Sequence, residues 1–261
     1  ESYANYFEFE VINDCSMGVQ GACSEIRING QSVSLDQAHH LRVNDRIELF
    51  NNTHGAILYL AMAGGFTATE VLGSTATDIA NGLGGLNGLP FTSKDILKGS
   101  KFNMPRHTRS IPEGLSSRRY FSKNVTVHVI AGPEAYLFTK EVIDNFYSHA
   151  FLLSAEISRV GYRLTGYPIH ADSYNIPSKT VLPGTIQIPP SGDPIILMAD
   201  GPVTGGYPRM GVVAKVDQPI LAQLRSGGRV RFLACLPEEA RLREANQRQW
   251  IEELYHKKTE R

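Results

Sequence analysis

The chain has 261 residues, 42% hydrophobic and 20% charged, and its 26 Lys and Arg balance 26 Asp and Glu. That length accommodates one large β-rich domain or two ordinary ones, while zero formal charge supplies no whole-molecule field toward nucleic acid or an anionic membrane. The longest apolar runs, Ala56 to Ala63 and Pro194 to Ala199, are strand-sized, so neither a membrane span nor a secretory signal is read.

The first elements are short strands. Phe7 to Ile12 alternates as Phe-Glu-Phe-Glu-Val-Ile, the period of a half-buried strand. Glu25 to Asn29 is similar and runs into Asn29-Gly30, a hairpin-type turn. Arg46 to Phe50 and Ala56 to Ala63 follow, joined by a loop over Asn51 to Gly55. From Lys98 to Lys123, seven basic residues (Lys98, Lys101, Arg106, Arg109, Arg118, Arg119, Lys123) face one acid, Glu113, among prolines, glycines and serines. A basic run this dilute is read as an exposed connector rather than a nucleic-acid site.

The second half opens with a strand over Val125 to Ile130 and a helix expected from Glu134 to Ala150. Phe138, Val142 and Phe146, with Ile143 beside them, make one apolar stripe and belong to the core. Thr185 to Ile188 and Pro194 to Met198 read as strands around a turn at Pro189 to Asp193, and Arg229 to Cys235 is the last strand. From Pro237 a polar helix closes the chain, with Leu242, Ala245, Ile251 and Leu254 as a narrow packing face or a partner contact. The division expected is therefore 1–97, a connector at 98–123, 124–236, and a helix at 237–261. An echo between Leu41 to Leu49 and Leu224 to Phe232 (Leu-Arg, three turn residues, Arg, strand) fits two related β-barrel halves without proving duplication.

Few residues announce chemistry. Cys15, Cys23 and Cys235 form no CxxC and read as free thiols of a cytoplasmic protein. His39-His40 reads as a surface turn, not a metal site. Three glycine clusters stand out: Ala63-Gly64-Gly65-Phe66, Gly82 to Gly88, and Thr204-Gly205-Gly206-Tyr207-Pro208. Each is either a corner of a barrel or a place where backbone approaches a ligand. None is a phosphate loop with Gly-Lys-Ser/Thr, so no motif here marks a nucleotide site. Asp78 is a cap or a cleft carboxylate, and Arg159 and Arg163, at i and i+4, suit bidentate carboxylate recognition if they share a strand.

At these clusters the chain resembles the allophanate hydrolase subunit 2 family, also called the biotin-dependent carboxyltransferase, KipA or PxpC family. The resemblance rests on Tyr59 to Gly65, Leu72-Gly73-Ser74, Thr77-Asp78 and Gly84-Gly85 in the first half. In the second half it rests on Arg159 to Leu164, Val181 to Pro190, Ala199-Asp200, Thr204 to Pro208 and Ala222 to Arg225. It implies a mainly β fold of two tandem cyclophilin-like barrels with a few helices. It also implies a KipI/PxpB-like subunit-1 partner and a LamB/YcsF-type (PxpA-like) third subunit. The implied activity is an ATP-driven 5-oxoprolinase that opens 5-oxoproline to glutamate, with ATP at the level of the complex and this chain expected to be inactive alone. The alternatives are a regulator that sequesters a KipI-like kinase inhibitor, or a urea-type carboxyltransferase subunit. Biotin would have to arrive on another protein, since no Met-Lys-Met carrier motif is present.

The family's opening Gln-Asp-x-Gly-Arg segment is absent and the chain begins at Glu1, which is read as a missing natural N-terminus. Thr75 stands where an arginine is usual, Pro177-Ser178-Lys179 replaces Ser-Glu-Gly, and Gly201 replaces a larger polar residue, departures that would change which anion a polar cleft prefers. Carried onto this chain, Arg159 and Arg163 orient a substrate carboxylate, and Gln187 and Thr204 bond an amide. Gly205 and Gly206 N–H groups face an oxyanion, Asp78 and Asp200 transfer protons, and Tyr207 packs the ring.

Overall fold

Alternation at the N-terminus becomes β1 (Tyr6–Glu10), which pairs antiparallel with β6 (Arg46–Phe50) through Phe9↔Ile47. The computed structural model describes residues 3–51, 54–100, 110 and 121–256, with side chains as far as 253. Contacts divide the chain into unit 1, residues 1–53 and 57–119, and unit 2, residues 54–56 and 120–261.

Unit 1 builds β2 (Cys15–Gly21), β3 (Glu25–Ile28), β4 (Gln31–Val33), β5 (His39–Leu41), β7 (Leu58–Met62), β8 (Phe66–Thr67) and β9 (Lys98–Gly99) besides β1 and β6. A four-stranded sheet β1-β6-β3-β4 and a three-stranded sheet β5-β2-β7 supply one core around Met17, Val19, Ile26, Leu41, Ile47, Leu49 and Leu58. Among the described residues these sheets do not close into a barrel. The Asn29-Gly30 turn forms as read: both residues have positive φ, 52° and 79°, which a type I′ hairpin needs and which suits Asn and Gly. His39-His40 is corrected from turn to strand. His39 is buried with Nε2 2.6 Å from the Ser34 carbonyl, and His40 Nδ1 meets Ser16 Oγ at 3.2 Å. No group of His, Cys, Asp and Glu fit to hold a metal occurs among the described residues. Lys98 belongs to β9, paired with β8, whereas Lys101, Arg106, Arg109, Glu113, Arg118 and Arg119 lie outside the described residues.

Unit 2 is a closed seven-stranded barrel in the order β10-β17-β14-β15-β12-β11-β18. Its strands are β10 (Asn124–Ala131), β11 (Ala150–Ile157), β12 (Gly161–Thr165), β14 (Thr185–Gln187), β15 (Ile195–Leu197), β17 (Arg209–Val213) and β18 (Arg229–Ala234). A two-residue-a-side ribbon of β13 (Lys179–Thr180) and β16 (Thr204–Gly205) stands apart from the closed ring. Inward alternation of Val125, Val127 and Val129 on β10 and of Phe151 and Leu153 on β11 fills the interior. The helix expected from Glu134 is shorter: a 3-10 turn covers Ala135–Leu137, and α1 spans Lys140–Ser148 with Thr139 Oγ1 capping the Val142 N–H. Pro133 and the buried Glu134 explain the delay, because that carboxylate is committed to a tertiary ion pair rather than to a first helical turn. Phe146 is fully buried and stacks on Phe232, with ring centroids 4.5 Å apart and planes 11° apart. Gly55 and Ala56 hold to this unit through Arg225 Nε donating to the Gly55 carbonyl (2.7 Å) and the Ala56 N–H donating to the Gln223 carbonyl (2.9 Å).

The short helix α2 (Gln218–Ala222) precedes β18, and α3 (Pro237–His256) closes the described chain. Leu242 and Ile251 are 63% and 42% exposed, so in this chain α3 does not pack by its apolar positions; the Leu254 side chain lies outside those described. Charge fastens it instead. Arg243 reaches buried Asp217 (3.2 Å) and His128 Nε2 (2.9 Å), and His128 Nδ1 lies 2.8 Å from Asp217. The imidazole tautomer with its proton on Nδ1 satisfies all three contacts. No described helix is long and apolar enough to cross a membrane.

Candidate functional site

The Thr204-Gly205-Gly206-Tyr207-Pro208 segment leads into β17, and most of the polar groups gathered around it belong to unit 2 strands. Gln187 stands opposite Arg209 where β14 pairs with β17, and the register slips there between Ile186 and Gln187. Because Ile186 fills the barrel interior, its neighbour Gln187 faces outward under the β13–β16 ribbon. Gln187 is 5% exposed, and its Nε2 is a buried donor with no hydrogen-bond partner. A Cβ on Gly205 would collide with that Nε2, so only glycine lets the ribbon lie over the amide. Gly206 is exposed, and a Cβ there would meet nothing within 4 Å. Thr204 and Tyr207 are also exposed.

At the end of the ribbon lies a cluster that sequence reading missed. Glu134 is 1% exposed and receives Arg209 through two hydrogen bonds, Nε to Oε2 at 2.5 Å and Nη2 to Oε1 at 2.7 Å. Lys179 Nζ reaches the same Oε1 at 3.1 Å, and Arg209 Nη1 donates to the Thr180 carbonyl at 2.8 Å. The Arg209 guanidinium foremost, and Lys179 after it, hold the Glu134 carboxyl below the usual carboxylate range against the opposing pull of burial. Gly132 positions the carboxylate: its N–H donates to the Met210 carbonyl, and a Cβ there would strike the Arg209 carbonyl. The nearest sequence signal was Gly132-Pro133 followed by an acid after a strand, and nothing local pairs it with residue 209.

The other nominated residues are placed differently. Arg159 sits in the turn before β12, not on the strand, so it and Arg163 do not form one carboxylate clamp. Arg159 makes a two-point ion pair with Asp200 (Nε–Oδ2 2.6 Å, Nη2–Oδ1 3.0 Å), so two residues nominated for separate roles hold each other. Arg163 pairs with Glu156 at 2.7 Å, on the rim of an open concavity of about 350 Å³ whose lining includes Ser158, Val160, Gly161 and Ile195. With the Arg159 and Asp200 side chains 41% and 49% exposed, solvent screens the pair. Arg159→Ala is therefore expected to change stability by less than about 1 kcal/mol in urea unfolding, which leaves this variant usable for activity measurements.

Asp78 lies in unit 1 and is exposed. It is neither a helix cap nor enclosed: its oxygens accept from the Asn81 N–H (3.1 Å) and the Asn81 Nδ2 (2.7 Å), contacts that keep its carboxyl below the ordinary range. A Cβ on Gly84 would strike the Ala76 carbonyl, one on Gly85 the Thr77 side chain, and one on Gly88 the Gly82 backbone. These glycines let the loop pack on itself, and no helix follows them, so the loop does not fit a phosphate-binding turn.

Comparison with known proteins gives the family. Residues 1–234 match the family model described as carboxyltransferase domain, subdomain A and B. The chain is 32% identical over 248 residues to the C-subunit of 5-oxoprolinase from Escherichia coli K12, covering 95% of this chain and 77% of that protein. It is 29% identical to the corresponding 5-oxoprolinase C-subunit of Haemophilus influenzae, covering 90% and 74%. The crystal structure of Kluyveromyces lactis urea carboxylase superposes with a TM-score of 0.86 at 23% identity, over 95% of this chain and 24% of that one, a likeness of fold. The mainly β fold expected from the resemblance is thus found, and the chain belongs to the carboxyltransferase domain, subdomain A and B, family.

Proposed function

We propose that this chain is a hydrolase-type subunit of an ATP-dependent 5-oxoprolinase, acting with a KipI/PxpB-like subunit and a LamB/YcsF-type subunit to open 5-oxoproline to glutamate. The observation that carries the reading is the 32% identity to a 5-oxoprolinase C-subunit over nearly the whole chain. The second-half site supports it. Gln187 and Thr204 are amide-directed hydrogen-bond groups, and the exposed Gly206, just past the ribbon, offers its backbone N–H to an opening lactam carbonyl that gathers charge. Tyr207, exposed beside them, offers a ring face to the lactam.

In this reading ATP supplies the driving force at the level of the complex, and no described loop of this chain is assigned to it. Asp200, held by Arg159, is the carboxylate of unit 2 proposed for proton transfer. Hydrolysis adds water across the ring amide: the carbonyl carbon gains oxygen, and the ring nitrogen leaves as the amine with a proton.

Glutamate release from 5-oxoproline with ATP, measured with the chain and both partners and with each omitted in turn, tests this. Turnover is expected only when all three are present. A stable complex without turnover would overturn the hydrolase reading in favour of sequestration of the partner.

A further inference from the structure

Two cations meet one carboxylate beside the ribbon, so the Glu134, Arg209 and Lys179 cluster carries one surplus positive charge. Arg209 spends its donors on Glu134 and the Thr180 carbonyl. Lys179 spends one contact on Glu134 and remains 47% exposed, so the surplus charge reaches solvent through its ammonium. Lys179 and Gly205 are cross-strand partners in the ribbon, and residues directly opposite point to the same face. That is also the face on which a Gly205 side chain would meet Gln187 Nε2. A cation with N–H groups to spare and a buried, unpartnered amide donor therefore both neighbour Gly205 on one face of the ribbon.

We infer that Lys179, Gly205 and Gln187 form a subsite for an amide that bears a carboxylate. Lys179 holds the carboxylate, and Gln187 Nε2 donates to the amide carbonyl. This rests on the function proposed above and moves carboxylate recognition from Arg159 and Arg163, each paired with an acid of this chain, to Lys179. The ribbon yields to admit the ligand: it is only two residues a side, and Gly205-Gly206 gives its backbone unusual freedom. A buried donor left unmade costs stability, and a ligand carbonyl removes that cost. Gln187 is thus a binding group whose partner is not part of the fold.

Isothermal titration of 5-oxoproline and of 2-pyrrolidinone, the same ring without the carboxylate, into the assembled complex tests the assignment. Lys179→Gln keeps the Arg209 pair with Glu134 and is expected to weaken 5-oxoproline by about tenfold or more while moving 2-pyrrolidinone less than about twofold. Gln187→Leu is expected to weaken both lactams yet leave the melting temperature unchanged or higher, an outcome that a structural role would reverse. Unchanged 5-oxoproline affinity in Lys179→Gln, with turnover intact in the wild type, overturns the subsite and leaves the proposed function standing. Lysine-dependent binding without turnover by any mixture keeps the subsite and overturns the proposed function. Absence of binding of either lactam to the wild type overturns both.

Discussion

Arg209→Ala is expected to destabilise unit 2 by about 3–5 kcal/mol, read as a shift of its urea midpoint at pH 7. The loss exceeds the value of the ion pair because Glu134, 1% exposed, keeps its charge without its two-point partner. Replacing both residues, as in Glu134→Met/Arg209→Met, leaves no stranded charge and is expected to recover most of the loss. The pH dependence has a definite sign. In the native protein Arg209 and Lys179 hold the Glu134 carboxyl below its unfolded value, which is about 4.3 for a free Glu. Its contribution is therefore complete above that value and is lost as pH falls through the lower folded value. In Arg209→Ala only Lys179 still opposes burial, so the carboxyl rises from its wild-type position and acid relieves part of the penalty. The stability gap between the two proteins should narrow from pH 7 to pH 4; a constant gap would contradict the ion-pair account.

Phe146→Ala is expected to cost about 3–5 kcal/mol in the same transition. Phe146 has no exposed surface, lies parallel to Phe232, and packs at 5.7 Å from Phe151, so truncation empties a space bounded by two other rings. Phe146→Leu keeps much of the volume and should cost less than about 1.5 kcal/mol. By contrast Phe138, assigned to the same helical stripe, is buried just beyond the 3-10 turn and before α1. Its burial is as read, although its element is not.

Local rules made several features legible. The alternation read over Phe7 to Ile12 became β1 as far as Glu10, and the run Arg46 to Phe50 became β6, because a period of two forces one face inward whatever the neighbours are. Asn29-Gly30 specified its turn through backbone conformation alone. The motif from Thr204 to Pro208 marked the place where Gln187 and the ribbon meet. The pairing of charges was not legible in this way. Nothing near Arg159 in the chain names Asp200 as its partner, 41 residues away, and nothing near Glu134 names Arg209, 75 residues away.

The apolar positions of α3 are a related case. Spacing identifies a stripe, but what covers it is a matter of tertiary placement, and here Arg243, His128 and Asp217 anchor the helix by charge. By itself the sequence determined the family, the β-rich class, eight of the eighteen described strands and the loop that carries the candidate site, since these follow from periodicity, turn conformation and motif. Only the tertiary structure decided which side chains are spent on each other and which donor remains unmade. Ion pairs and buried amides are settled by distances across strands far apart in the chain, and no local pattern encodes those distances.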